Sequence, residues 1–150
     1  FDYGEKALAC IARKGLLSEN GVAVYDDYAH HPTEIETTLK VGSAITKGQL
    51  FIVFQPHTYT RTKALFRDFV EVLSKADRVV LADIYAAREP DRHEVSSADL
   101  AREIPGAINL HQFGEIADYL KKEAKTGDTI ITVGAGDVFR IGELLLKESD

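Results

Sequence analysis

The chain has 150 residues, 45% hydrophobic and 28% charged, the composition of one folded globular domain rather than a disordered segment. Its formal net charge is −6, which argues against a general nucleic-acid surface, because phosphate neutralisation needs a basic face. A single cysteine, Cys10, excludes an internal disulfide and a zinc site built on cysteines alone; it suits a reducing compartment.

No apolar run approaches the ~20 residues that a membrane helix needs. The chain contains no Met and starts with Phe1, which reads as a domain of a longer protein. Residues 1–20 are ambiguous: Lys6 to Leu17 suits a helix or an edge hairpin. Beyond residue 20 a regular alternation begins. Gly21-Val22-Ala23-Val24-Tyr25 reads as a strand. Pro32-Thr33-Glu34-Ile35-Glu36 opens a helix, with proline in the first turn and acids at the positive end of the dipole. Ile35, Leu39, Gly42 and Ile45 follow at helical spacing.

Leu50 to Phe54 is an unbroken apolar run, the pattern of a strand covered on both faces. A helix is expected from about Thr62 to Lys75. Arg78 to Ala82 reads as a third strand. Ser96 or Ser97 caps a short helix bearing Leu100, Ala101 and Ile104. Ala107 to Leu110 is a weak strand, and a helix follows around Glu115 to Lys125. Thr129 to Val133 is the last strand, and Asp137 is expected to cap a final helix. Five strands alternating with helices predict a three-layer α/β, Rossmann-like open sheet, mostly parallel, with helices on both faces. The whole chain, 1–150, is read as a single domain.

Ligands of open α/β sheets bind beyond the carboxyl ends of the strands. The post-strand loops are therefore the places to search. All five histidines, at 30, 31, 57, 93 and 111, fall in such loops, which suggests one ligand-facing rim. Asp26, Asp27, His30 and His31 have metal-ligand chemistry. Neighbours on an extended chain point to opposite sides, however, so one of each pair can face a ligand while the other is structural. No metal bound by this domain alone is expected. Gly134-Ala135-Gly136 before a helix suits an anion nest or a plain strand-to-helix turn. Phe139 breaks the Gly-x-Gly-x-x-Gly dinucleotide fingerprint, and the chain has no Gly-x-x-x-x-Gly-Lys phosphate loop. Arg61 near a helix start suits a bidentate grip on a carboxylate or phosphate, or a surface pair with Asp68.

Asp-Asp-Tyr-Ala-His-His-Pro-Thr-Glu-Ile at 26–35 and Phe-Gln-Pro-His-Thr-Tyr-Thr-Arg-Thr at 54–62 resemble the C-terminal domain of the Mur ligase family. Ala-Asp-Ile-Tyr-Ala-Ala at 82–87 and Gly-Ala-Gly-Asp at 134–137 match the same family in the same order. The resemblance spans about residues 21–148 and is closest to the members that join L-alanine to UDP-N-acetylmuramate. It implies a Rossmann-like domain that binds the incoming amino acid and closes over ATP and Mg2+, both held mainly by a central domain. An N-terminal domain would hold the UDP-sugar. The implied chemistry is ATP-dependent amide formation through an acyl phosphate, in the cytoplasm, for peptidoglycan and hence cell shape and division. The isolated domain is expected to be inactive, with no catalytic residue of its own.

The family pattern places Tyr28, His30, His57 and Arg61 at the amino-acid pocket and Asp27 on the nucleotide side. Arg61 would hold the alanine carboxylate. Two positions depart from it: Thr58 stands where an arginine is usual, and Arg88 where a glycine is usual. Thr58 weakens the implied clamp, and Arg88 is a candidate for the missing charge. Rival readings are a muropeptide-recycling ligase domain and a non-catalytic nucleotide- or amino-acid-binding module. A dinucleotide-dependent oxidoreductase domain is disfavoured by the broken fingerprint.

Overall fold

The computed structural model describes residues 21–147; the stretch 1–20 lies outside the described residues. Five strands form one parallel sheet: β1 (Ala23–Asp27), β2 (Leu50–Phe54), β3 (Arg78–Leu81), β4 (Ile108–Asn109) and β5 (Thr129–Val133). Their spatial order is β1-β5-β2-β3-β4. The helices are α1 (Pro32–Ile45), α2 (Tyr59–Ala64), α3 (Phe66–Leu73), α4 (Ser97–Glu103), α5 (Phe113–Glu123) and α6 (Phe139–Lys147).

The layer arrangement follows from the direction of travel. From β1 to β4 the chain moves one way across the sheet, then α5 carries it back to β5. Right-handed crossovers put helices of opposite travel on opposite faces. Ile35 and Leu39 of α1, Phe69 of α3 and Leu100 of α4 indeed share one buried cluster. Ile116 and Leu120 of α5 and Ile141 and Leu145 of α6 share the other. The run in β2 divides between them by the two-residue period. Ile52 and Phe54 face the first cluster, Phe51 and Val53 the second. Each of these buried side chains contributes about 1.5–3 kcal/mol.

Departures from expectation are local. The helix expected over 62–75 is two helices, broken at Leu65 (φ −109°, ψ 19°). Ile45 ends α1 exposed rather than buried. Ser96, not Ser97, caps α4, and the Ser97 hydroxyl donates to the Ala82 carbonyl at 2.5 Å. The Asp137 carboxylate accepts from the Gln55 amide at 3.0 Å, while its backbone carbonyl accepts from Arg140 N of α6 at 3.0 Å.

Candidate functional site

The loops after β1 and β2 lead to one face of the sheet, and the loop after β5, lying between them, leads to the other. This is the switch-point crevice where open α/β sheets place ligands. Four loops meet there.

The loop after β1 is organised by Asp27. The residue is fully buried; Oδ1 accepts from Ala29 N at 3.0 Å and Oδ2 from the Thr38 hydroxyl of α1 at 2.5 Å. Its backbone carbonyl accepts from Gly134 N at 3.0 Å, tying the loop to the one after β5. Burial raises the Asp27 pKa, against the hydrogen bonds from Thr38 and Ala29. Both Asp27 oxygens are thus engaged inside the fold, one by the loop and one by α1. Asp26 is half-buried and accepts from the Thr132 hydroxyl at 2.6 Å.

Ala29 is buried, so its neighbours Tyr28 and His30 project outward. Tyr28 is 57% exposed and meets His30 edge-on, with ring centroids 5.6 Å apart. His31 is the N-cap of α1: its Nδ1 accepts from Thr33 N at 3.2 Å, and Glu34 accepts from His31 N in return. One histidine of the pair thus faces the crevice and the other holds the helix.

After β2, the chain pairs once more with the loop after β3. Tyr85 N donates to Pro56 O and Thr58 N to Tyr85 O, both at 2.8 Å. This fixes the His57 ring on Tyr85, with centroids 5.5 Å apart and planes 30° apart. His30 approaches the His57 ring edge-on at 6.1 Å. Burial lowers the His57 pKa, and the nearby charges of Arg61 and His30 lower it further; Glu89 opposes them. Burial and two neighbouring cations thus both favour the uncharged ring.

Thr58 holds an unusual backbone for a β-branched residue (φ 64°, ψ 148°). Its hydroxyl accepts from Arg61 N at 3.2 Å, and its carbonyl accepts from the Thr62 hydroxyl at 2.7 Å. Glu89, from the loop after β3, accepts from Tyr59 N at 2.7 Å and Thr60 N at 3.0 Å. A hydrogen bond from the Thr60 side chain, and then the backbone amides of Thr60 and Tyr59, lower the Glu89 pKa. The start of α2 is thereby fixed from two sides. Arg61, half-buried, projects from it and pairs with no acid among the described residues. The surface pair with Asp68 does not form.

The five-histidine rim reduces to two. His30 and His57 converge; His31 caps α1. His93 is exposed beside Asp91 at 3.6 Å, and His111 pairs with Asp83 at 2.9 Å near the end of β4. Arg88 is exposed at φ 76°. No group of three or more metal-ligating side chains gathers among the described residues. No helix among them is long and apolar enough to cross a membrane.

Three contributors hold the site without having been singled out from the sequence. Tyr85 supplies the stacking platform, Glu89 fixes α2, and Gln55 bridges to Asp137 behind the crevice. Gln55 and Tyr85 lie inside the motifs at 54–62 and 82–87, which do not reveal what either side chain touches. The assembled groups are two imidazoles, a guanidinium, a phenol and no activated nucleophile. They can bind a small zwitterion and position it.

A family model described as the Mur ligase, glutamate ligase domain, matches residues 12–136. The UDP-N-acetylmuramate–L-alanine ligase of Clostridium tetani is 50% identical over 132 residues, covering 85% of this chain and 29% of that protein. The ligase of the same name from Lachnospira eligens is 51% identical over 139 residues, covering 90% of this chain and 30% of that protein. The chain thus spans less than a third of the length of these curated relatives. A murein peptide ligase from Psychrobacter arcticus shares the fold with a TM-score of 0.69 at 22% identity, covering 91% of this chain and 28% of that one. With the family model matching most of its length, the chain belongs to the Mur ligase family and carries that family's glutamate ligase domain.

Proposed function

We propose that this chain is the C-terminal, amino-acid-binding domain of a cytoplasmic, ATP-dependent UDP-N-acetylmuramate–L-alanine ligase of peptidoglycan precursor synthesis. The observation that carries the reading is the contact of Tyr28, His30 and His57 at the crevice, with Arg61, which pairs with no acid among the described residues, close enough to act on His57. The names of relatives at about half identity support L-alanine as the amino acid.

In this reading the parent protein's N-terminal domain holds UDP-N-acetylmuramate. Its central domain holds most of ATP and Mg2+, which activate the muramate carboxylate as an acyl phosphate. The described residues offer no phosphate loop, and Asp27 is buried, so no phosphate chemistry is assigned to this chain. Its residues do the positioning. Arg61 grips the amino-acid carboxylate through charge-assisted hydrogen bonds. His30 and His57 orient the amino acid beside the acyl group, and Tyr28 covers it. Holding the amine near the acyl carbon converts a bimolecular encounter into an oriented one.

Phosphate release by the parent protein tests this, with ATP, magnesium and UDP-N-acetylmuramate present. L-alanine, glycine, L-serine or a muropeptide-type tripeptide is added in turn. Release dependent on L-alanine is the expected result. Release with the tripeptide alone assigns the recycling reaction instead, and release with none of them removes the ligase reading.

A further inference from the structure

Among the described residues, two buried side-chain polar atoms lack a hydrogen-bond partner: Gln55 Oε1 and His57 Nδ1. They lie two residues apart on the extended end of β2, at the back of the crevice. Gln55 Oε1 is an acceptor with lone pairs unused, a tolerable state. For His57 the consequence depends on where the proton sits. A proton on Nδ1 would bury an N–H with no acceptor, the rarer and more costly arrangement. An unprotonated Nδ1 leaves only a lone pair unused. An imidazolium would bury the same orphan N–H and add a charge.

The surroundings point the same way. The elements packed on the ring bring Arg61 from α2 and His30 from the loop after β1, which disfavour a second cation. Tyr85, from the loop after β3, covers one face of the ring. The one acid nearby is Glu89, whose Oε1 already accepts two backbone amides of α2. The ring lies stacked on Tyr85, whose backbone is bonded to Pro56 and Thr58 on either side of His57. His57 is half-buried with Nδ1 inside, so the Nε2 edge is the one open to the crevice.

We propose that His57 is a fixed neutral hydrogen-bond donor: its Nε2–H recognises an anionic oxygen of the substrate, and it does not take the proton from the attacking amine. The inference rests on the reading of the crevice as the amino-acid site. The oxygen belongs either to the amino-acid carboxylate or to the activated acyl group; the shared chemistry is an acceptor with negative charge. The proposal separates the two imidazoles, since His30 lies nearer the surface with Nδ1 3.2 Å from the Tyr28 carbonyl.

Two measurements decide it. The first is nitrogen-15 correlation spectroscopy of the histidine rings in this chain, across about pH 6–8. The expected pattern for His57 is an unprotonated Nδ1 and a protonated Nε2 at neutral pH. A proton on Nδ1, or an imidazolium at pH 7, overturns the proposal. This experiment is independent of the ligase reading.

The second compares His57→Gln with His57→Leu in the parent ligase. A glutamine amide can place a donor near the Nε2 position, and leucine cannot. The expected kcat/KM of the glutamine variant exceeds that of the leucine variant by roughly ten- to a hundredfold. A difference carried by the KM for L-alanine assigns the oxygen to the amino-acid carboxylate; one carried by kcat assigns it to the acyl group. The acid limb of the pH–rate profile persists in the glutamine variant. Equal loss in both variants, or disappearance of that limb, overturns the proposal. A parent protein without ligase activity would remove the proposed function while leaving the spectroscopic result to stand or fall alone.

Discussion

Gly136 is where the packing behind the crevice is tightest. A Cβ at this position would lie 2.7 Å from Gln55 Oε1 and 2.7 Å from both Cγ and Cδ1 of Tyr85. Ordinary carbon–carbon contacts sit at about 3.5–4.0 Å, so a single methyl demands a shift of about 1 Å. Neither neighbour gives way easily. Gln55 is held by Asp137 at 3.0 Å, and the Tyr85 backbone is held to Pro56 and Thr58 at 2.8 Å on each side. The ring of Tyr85 can retreat only by leaving His57. Gly136→Ala is therefore expected to cost about 1–3 kcal/mol, the range for overpacking a filled site. For a chain of this size that lowers Tm by roughly 3–10 °C. The same change should raise the amino-acid KM of the parent ligase, because the His57 platform moves. Gly114→Ala is the matched comparison: it sits in α5 with nothing within 4 Å of the added carbon, and alanine there should stabilise by about 0.5–1 kcal/mol. Thermal melts of both variants decide the matter. A Gly136→Ala variant melting within about 1 °C of the wild type, with an unchanged KM, would refute the claim that this glycine sets the wall of the site.

Further outcomes follow from the backbone and the buried acid. Arg88→Gly should stabilise by about 1 kcal/mol in a denaturant titration, because Arg88 is exposed and held at φ 76°. Glu89→Ala should lower Tm at neutral pH by freeing two amides of α2. Since the folded Glu89 pKa lies below its usual 4.5, its contribution is present above that value and lost as pH falls through the folded one. Acid melts of Glu89→Gln should lack that loss. Asp27 carries the opposite sign: its pKa is raised above 3.8 in the fold, so ionisation opposes folding as pH rises through that interval. Asp27→Asn should remove this part of the pH dependence of stability, measured by melts across the acid range.

Much of the architecture can be read from residue order. Leu50–Phe54 and Thr129–Val133 are the strands buried on both faces; the unbroken apolar run of the first and the β-branched run of the second mark them to the residue. Pro32 and Glu34 mark the start of α1 for the reasons of ring geometry and dipole that predict it. The split of the helix expected over 62–75 was not legible. Thr60 to Leu73 keeps a helical pattern in sequence, although the backbone leaves the helix at Leu65. The site was legible in part. Alternation alone separates His30 from His31, and it correctly implies that one of them is structural. It cannot say that Asp27 turns inward onto Thr38, eleven residues away on the facing helix. Nor can it find Tyr85 and Glu89, which reach the site through contacts about 30 residues apart in sequence. Groups that bind are announced by local motifs; groups that hold them in place belong to the tertiary structure.

The central claim is that this crevice holds an amino acid through Arg61. The most direct measurement is the L-alanine dependence of phosphate release by the parent protein, compared between the wild type and Arg61→Ala. Loss of a charge-assisted pair to a carboxylate predicts a KM for L-alanine higher by roughly ten- to a hundredfold. The KM for ATP should stay within about twofold, because the proposed partner of the guanidinium is the amino-acid carboxylate and not the nucleotide. An unchanged KM for L-alanine in a folded Arg61→Ala variant would contradict the account.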